Sequence, residues 1–175
     1  MGLTLGLALY QGWPLSCMLH LRGATLPPWP LTADMWNYIP PGVWWLCLAL
    51  LGAWSTDTGA FHIGKAFGIR VHPLLPRISP GKNIEGLIGG TIFATVTCLL
   101  IGSLLLHLPW YLCLLLGIIL GPCSLAGDLS ESLIKREAHA KDSGTIMPGH
   151  GGILDRCDSI LFGVIIVYTF MLIIG

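Results

Sequence analysis

The sequence predicts an all-α polytopic membrane protein with about five transmembrane spans. Hydrophobic residues make up 54% of the 175-residue chain and charged residues 10%, and the mean hydropathy is +0.76. These values lie far outside the ranges that are usual for soluble globular domains. A helix needs roughly 20 residues to cross a bilayer, and the apolar stretches that reach about this length are residues 1–21, 40–58, 84–106, 109–127 and 156–174.

The first stretch is the weakest of these. Gly12, Pro14 and His20 interrupt it, and by position it resembles a signal peptide as well as a span. A signal peptide begins with a basic region, whereas this stretch has no lysine or arginine before Arg22. We therefore expect an uncleaved span, which together with an external loop forms an N-terminal unit at residues 1–39.

The remaining residues, 40–175, are expected to form one membrane domain with a polar funnel. Two polar segments, 62–83 and 128–156, together carry eight of the nine basic residues. Because two spans and a tight turn at Leu108–Pro109 lie between them, both segments emerge on the same face, which the positive-inside rule makes cytoplasmic. Polar backbone can lie at membrane depth only where protein buries it or water reaches it. We therefore expect the funnel to open towards the cytoplasm.

Acidic residues collect near the same face. Asp57 ends the second span, Asp128 ends the fourth, and Asp155 and Asp158 open the fifth. A carboxylate near the bilayer centre costs roughly 2.5–3.5 kcal/mol, and the predicted position of Asp128 at a helix C-terminus is electrostatically unfavourable. A cation should therefore compensate these charges. Carboxylate oxygens suit Mg²⁺, which also binds substrate phosphates, and Asp155 and Asp158 share one helical face.

Basic residues are interleaved with these acids. Cations at a membrane surface can simply balance lipid headgroups, but nucleotide phosphates require cationic donors as well as a metal. The basic residues that favour the second interpretation are Lys135, Arg136, Lys141 and Arg156.

Two glycine-containing turns are candidate anion sites. Pro148–Gly152 can bring backbone N–H groups close to an anion. His150 within this turn could either donate a hydrogen bond to a phosphate or form a structural hydrogen bond. The turn Ser79–Lys82 precedes the positive end of a predicted helix. Glu85 lies in the first turn of that helix, where the helix dipole by itself favours an acidic residue. The chain contains no G-x-x-x-x-G-K-[ST] sequence, which excludes a P-loop NTPase.

A long C-terminal pattern then identifies a family. The pattern S-x-apolar-K-R-x4-K-D-x-small-x2-apolar-P-x-H-G-G-apolar-x-D-R-x-D runs from Ser132 to Asp158, with Met147 and Cys157 as mild departures. With this pattern and the blocks Asp57–Phe61 and Ser79–Gly86, residues 40–175 resemble the phosphatidate cytidylyltransferases, also called CDP-diacylglycerol synthases. Members of that family usually carry further spans at the N-terminus.

The resemblance implies transfer of a cytidylyl group from CTP to phosphatidate, giving CDP-diacylglycerol and pyrophosphate. It implies a requirement for Mg²⁺ and leaves a second cation open. By similarity, the metal ligands are Asp128, Asp155 and Asp158. The catalytic candidates are Lys135, Arg136, Lys141, Asp142 and His150. The substrate-binding candidates are Asp57, Ser79, Lys82, Glu85, Ser132, Gly151, Gly152 and Arg156.

The expected partners are CTP, phosphatidate and the lipid bilayer, with no nucleic acid and with a homodimer left open. The expected location is a multi-pass position in the membrane, which in a bacterium is the inner membrane, with the active site facing the cytoplasm. Alternatives are a cytidylyltransferase for another lipid phosphate, such as an isoprenoid ether lipid, a non-enzymatic cation transporter subunit, or an inactive scaffold.

Overall fold

A computed structural model describes residues 2–25, 39–67, 72–75, 79–137 and 154–174. Within these ranges the chain forms long helices and one short β-hairpin. In chain order, the elements are α1 (Gly2–Arg22), α2 (Pro41–Phe67), β1 (Pro73–Leu75), β2 (Ser79–Asn83), α3 (Ile84–Leu104), α4 (Trp110–Glu137) and α5 (Leu154–Ile174).

The helices coincide with the predicted apolar stretches, so the helical class is confirmed. Two boundaries differ from the prediction. Helix α2 continues beyond Asp57 to Phe67, and α4 continues beyond Asp128 to Glu137. Asp128 therefore lies inside a helix and not at its C-terminus, so the dipole argument made for it from the sequence was wrong. The extension of α4 is rich in Leu, Glu, Lys and Arg, which are good helix formers. The extension of α2 contains Gly59 and Gly64 instead, which pack against Phe93 and Asn83.

The hairpin was not predicted. Strands β1 and β2 pair in antiparallel orientation, with Pro73 opposite Asn83 and Leu75 opposite Ser79. Strands this short, rich in Pro and Gly, give a weak pattern in a sequence. The hairpin places Lys82 and Asn83 directly before the first turn of α3.

Helices α2, α3, α4 and α5 pack as successive antiparallel neighbours, and α1 packs against α2 and α5. Small residues allow the close approach, as is common for membrane helices. A Cβ placed on Gly90 would lie 2.7 Å from the carbonyl oxygen of Thr56, and one on Gly121 would lie 2.6 Å from Cα of Thr91. The backbones of α2 and α4 therefore both contact α3 directly.

The apolar core lies between α2, α4 and α5. Trp45 and Leu48 from α2, Leu116 and Leu120 from α4, and Val164 from α5 are almost completely buried.

The described helices are compatible with a membrane. Helices α3 and α4 are long and apolar enough to cross a bilayer, and α5 contributes a shorter apolar portion, Asp158–Ile174. A turn through His107, which has a φ of 52°, connects α3 to α4, as predicted at Leu108–Pro109. Trp110 and Tyr111 are exposed beside it, and aromatic residues are typical of a membrane interface.

Candidate active site

Asn83 fixes the hairpin against two helices. As the N-cap of α3, its side-chain oxygen accepts a hydrogen bond of 2.9 Å from the backbone N–H of Gly86, which is a favoured role for asparagine. Its side-chain N–H donates to the carbonyl oxygen of Gly64 in α2 at 3.2 Å. Asn83 is 3% exposed. One buried side chain therefore sets the position of β2 relative to α2 and α3.

Lys82 reaches from the hairpin to α4. Its Nζ lies 2.5 Å from Oδ2 of Asp128, and the two side chains are 17% and 31% exposed. The ion pair compensates a partly buried carboxylate, whose charge would be costly without a partner. Among the described residues, Lys82 therefore compensates the charge of Asp128, and the Mg²⁺ expected there from the sequence stays a prediction.

Asp57 and Asp158 are connected through Ser159. The Ser159 hydroxyl donates to Oδ2 of Asp57 at 2.7 Å, and its backbone N–H donates to Oδ1 of Asp158 at 2.8 Å. Both Asp57 and Asp158 lie close enough to Asp128 to interact with it electrostatically. The three acids, from α2, α4 and α5, therefore form one electrostatic cluster.

Glu131 lies one helical turn beyond Asp128 and is 1% exposed. Its carboxylate is 3.2 Å from Nζ of Lys135 in the following turn, and its side chain also interacts with Asp158. The backbones of α4 and α5 meet at this level, since a Cβ on Gly127 would lie 2.8 Å from the carbonyl oxygen of Asp158. Lys135 therefore has a structural role, because it compensates the charge of the buried Glu131.

An open cleft of about 260 Å³ lies between α2, the hairpin, α3 and α4. Its polar lining consists of the carboxylates of Asp57 and Asp128, the ammonium group of Lys82 and the amide of Asn83. The rest is small or apolar, and the lining residues are Asp57, Ala60, Phe61, Gly81, Lys82, Asn83, Gly86, Leu87, Leu125 and Asp128. The cleft therefore offers both signs of charge beside apolar surface.

The comparisons with known proteins place the chain in a family. The model of the cytidylyltransferase family matches residues 3–174. The chain belongs to this family. The resemblance found in the C-terminal pattern is thereby confirmed, and the match extends it through the N-terminal unit.

The chain is also similar to individual relatives over most of its length. Over 122 residues the chain is 44% identical to phosphatidate cytidylyltransferase of Bacillus subtilis (strain 168), covering 69% of this chain and 45% of the relative. Over 166 residues it is 38% identical to phosphatidate cytidylyltransferase of Synechocystis sp., covering 92% and 53%. Over 164 residues it is 36% identical to an uncharacterized protein of Escherichia coli (strain K12), covering 94% and 53%. The chain spans about half the length of these relatives.

The structure brings together only some of the residues that the cytidylyltransferase pattern predicts. Asp57, Lys82 and Asp128 line the cleft. Asp158 lies behind it, buried against Ser159 and Glu131. The roles of all these residues in binding stay predictions.

Other predicted residues lie away from the described cleft lining. Glu85 pairs with His72 at 2.6 Å and thereby ties the start of α3 to the hairpin. Ser79 lies in β2, and Ser132, Lys135 and Arg136 lie in the last turns of α4. Arg136 is exposed, and Ser132 is partly buried.

The remaining predicted residues lie outside what the structure describes. Asp155 and Arg156 belong to the first turn of α5, but their side chains are not among the described ones. The other residues of this group, Lys141, Asp142, His150, Gly151 and Gly152, lie in the undescribed range 138–153.

Three residues of the site were missed from the sequence. Asn83 could have been found, because an asparagine immediately before a helix is an N-cap signal. Ser159 carries no signal of its own, since its partner Asp57 is distant in sequence. Glu131 lies between Asp128 and Lys135 in a polar segment of the sequence. Such a segment indicates exposed side chains, so the burial of Glu131 was not predicted.

The described residues fit a hard divalent ion in donor chemistry, although not as a complete cage. Among the described side chains, no group of three or more His, Cys, Asp or Glu residues is arranged to hold a metal ion. Mg²⁺ is usually bound by one or two carboxylates together with waters and substrate phosphates. Asp57 and Asp128, both facing the cleft, supply oxygen ligands of that kind.

Proposed function

We propose that this chain forms the site of a phosphatidate cytidylyltransferase, which transfers a cytidylyl group from CTP to phosphatidate and releases pyrophosphate. The proposal rests on the Lys82–Asp128 ion pair in the wall of the cleft, at positions that the family pattern assigns to substrate and metal. Relatives named phosphatidate cytidylyltransferase support the choice of substrates.

The chemistry requires charge compensation more than proton transfer. The phosphate of phosphatidate is already ionised at neutral pH, so it can attack the α-phosphorus of CTP without a strong general base. The main barrier is repulsion between the two anions, and cationic groups fixed in advance reduce it. In this proposal Lys82 orients the phosphates within the cleft, and Lys135, Arg136 and Lys141 bind the leaving pyrophosphate.

The acids would hold the magnesium ion. We assign Asp128 and Asp155 as its ligands, with Asp158 in support. Asp57 lines the same cleft as Asp128. A bound Mg²⁺ would neutralise phosphate charge and hold the reacting groups in line. Lys82 contacts Oδ2 of Asp128, so Oδ1 of the same carboxylate would be open to a metal ion, and Lys82 would lie beside the substrate phosphates.

An apolar groove indicates where the lipid tail lies. It follows α3 and α4 with a volume of about 450 Å³, and its lining residues are Leu87, Ile88, Thr91, Ile92, Thr95, Val96, Ile118 and Pro122. The hydroxyls of Thr91 and Thr95 donate to carbonyl oxygens of their own helix, which leaves their methyl groups for the groove. Leu87 lines both groove and cleft, so an acyl chain in the groove brings its phosphate to Lys82.

The same arrangement supports the proposed topology. The hairpin and the cleft lie at the same end of the antiparallel bundle as the polar helix ends. The basic residues at this end are Lys65, Lys82, Lys135 and Arg136. The positive-inside rule makes that end cytoplasmic. We propose five spans with the cleft as the cytoplasmic funnel, and a homodimer stays a prediction.

One assay tests the function directly. Membranes that contain the chain are incubated with labelled CTP, phosphatidate and Mg²⁺, and the lipid fraction is examined for label. We expect labelled CDP-diacylglycerol with the wild-type chain and none with Asp128→Asn, at equal amounts in the membrane. Glu137→Gln, at the exposed end of the same helix, is the matched control and should remain active. Absence of label from wild-type membranes, or full turnover by Asp128→Asn, would refute the proposal.

A further inference from the structure

A second, smaller cavity adjoins the cleft on the side of the hairpin. Its volume is about 230 Å³, and its lining residues are Ala60, Phe61, Gly64, Lys65 and Gly81. Ala60, Phe61 and Gly81 also line the cleft. The two spaces are therefore continuous, and Phe61 stands at the boundary between them.

Phe61 is a large apolar side chain that is not packed into the core. Its side chain is 63% exposed, although it lies among polar groups at the end of the bundle. The Lys65 ammonium group lies 5.7 Å from the centre of its ring, and the edge of His62 approaches at 5.5 Å between ring centres. A ring held by a cation at the rim of a cavity offers a flat surface for stacking.

The position of the cavity selects one part of the substrates. Leu87 and the apolar groove lie on the other side of the cleft, so a lipid tail leaves the charged groups in that direction. Towards Phe61 the walls consist of an aromatic ring, a lysine and two glycines. Pyrimidines stack on aromatic side chains, and the volume is below the range of complete drug-sized sites. It therefore suits a nucleoside whose phosphates lie elsewhere.

We propose that this cavity binds the cytidine moiety of CTP, with the base stacked on Phe61 and the triphosphate extending into the cleft towards Lys82. This inference rests on the proposed function and adds a nucleoside subsite to it. The Asn83 bonds to Gly64 and Gly86 fix the hairpin against α2 beside this cavity. Phe61 then contributes to CTP affinity and not to lipid affinity.

Phe61→Leu is the main test, with Phe67→Leu as the matched control. Phe67 lies on the same helix, is 65% exposed and lines neither cavity. We expect Phe61→Leu to raise the KM for CTP roughly tenfold and to leave the KM for phosphatidate and inhibition by pyrophosphate unchanged, because pyrophosphate carries no base. Phe61→Tyr should restore most of the affinity, since it retains a ring.

A second variant tests the space itself. Nothing lies within 4 Å of a Cβ built on Gly81, so Gly81→Val should fold normally and narrow the opening between the cavities. We expect weaker CTP binding by the purified protein, measured directly by calorimetry. If Phe61→Leu, Gly81→Val and wild type bind CTP equally, the nucleoside subsite is refuted while the enzyme activity stands. If the wild type neither binds CTP nor labels lipid, the proposed function fails as well.

Discussion

Lys82 and Asp128 join the hairpin to the C-terminal half of α4 through an ion pair of 2.5 Å. The two residues are far apart in sequence and belong to different elements, yet both line the cleft between α2, α3 and α4. The pair therefore has a structural and a chemical consequence. It anchors the hairpin over the cleft, and it keeps a cation where substrate phosphates are proposed to bind.

The first prediction tests the chemical consequence. Lys82→Met should lower kcat/KM at least tenfold, equivalent to about 1.4 kcal/mol of transition-state stabilisation, because the cation facing the phosphates is lost. Lys82→Arg keeps the charge and should retain more activity than Lys82→Met. Turnover of labelled CTP in membranes gives the ratio. Equal activity of Met and Arg variants would show that the charge at this position is irrelevant.

Ser159 is expected to stabilise the contact between α5 and α2. Ser159→Ala removes the hydroxyl that donates to Asp57 at 2.7 Å and should lower the free energy of unfolding by about 1 kcal/mol. The thermal midpoint of the purified protein in detergent measures the loss. Thr169→Ala on the same helix is the control, because its exposed hydroxyl donates to the carbonyl oxygen of Ile165 within its own helix. An equal effect of both variants would contradict the assigned role of Ser159.

Two roles of Lys135 must be separated by a double variant. Lys135 was predicted to bind a substrate phosphate, and it also forms an ion pair with the buried Glu131. Lys135→Met should reduce both stability and turnover. Adding Glu131→Gln removes the buried charge that Lys135 compensates, so the double variant should recover stability. If Lys135 also binds pyrophosphate, turnover stays at least tenfold below wild type. Recovery of both properties would reduce Lys135 to a structural partner of Glu131.

The sequence predicted helices well and their polar extensions poorly. Apolar runs of span length identify membrane helices because every backbone polar group must be satisfied within the bilayer. The extension of α4 from Asp128 to Glu137 was missed, since charged residues there were interpreted as the end of the span. The helix continues because its residues from Leu129 to Glu137 include good helix formers, and the ion pair between Lys135 and the buried Glu131, one turn apart, adds to its stability.

The acids near the cleft were predicted, and their partners were not. Asp57, Asp128 and Asp158 are conspicuous in a chain with few charges. Ser159 and Lys82 become their partners only because α2, α4, α5 and the hairpin meet at one end of the bundle. Such contacts between distant positions depend on packing, which a local pattern does not specify. Asn83 is intermediate, because its N-cap role is local and its bond to Gly64 is not.

Asn83 provides the fourth prediction. Asn83→Asp keeps an oxygen for the N–H of Gly86 and loses the donor to the carbonyl oxygen of Gly64, whereas Asn83→Ala loses both. We expect Asp to weaken the attachment of the hairpin to α2 while preserving the start of α3, with Ala costing about 1 kcal/mol more because the cap is also lost. Limited proteolysis in detergent reports on the hairpin, and the thermal midpoint reports on the helix. Resistance of the hairpin in both variants would exclude Asn83 as its anchor.

The last prediction concerns the apolar groove between α3 and α4. Ile92→Trp and Val96→Trp place bulk in a groove whose lining includes both residues, so they should raise the KM for dioleoyl phosphatidate. Dihexanoyl phosphatidate, whose chains are too short to extend along the groove from Leu87, should be affected little. Leu100→Trp, at a 55% exposed position of the same helix outside the groove, is the control. A proposed acyl-chain site requires this dependence on chain length. If Trp at residue 92 or 96 impairs both lipids equally, or impairs neither, the groove accommodates something other than the substrate tail.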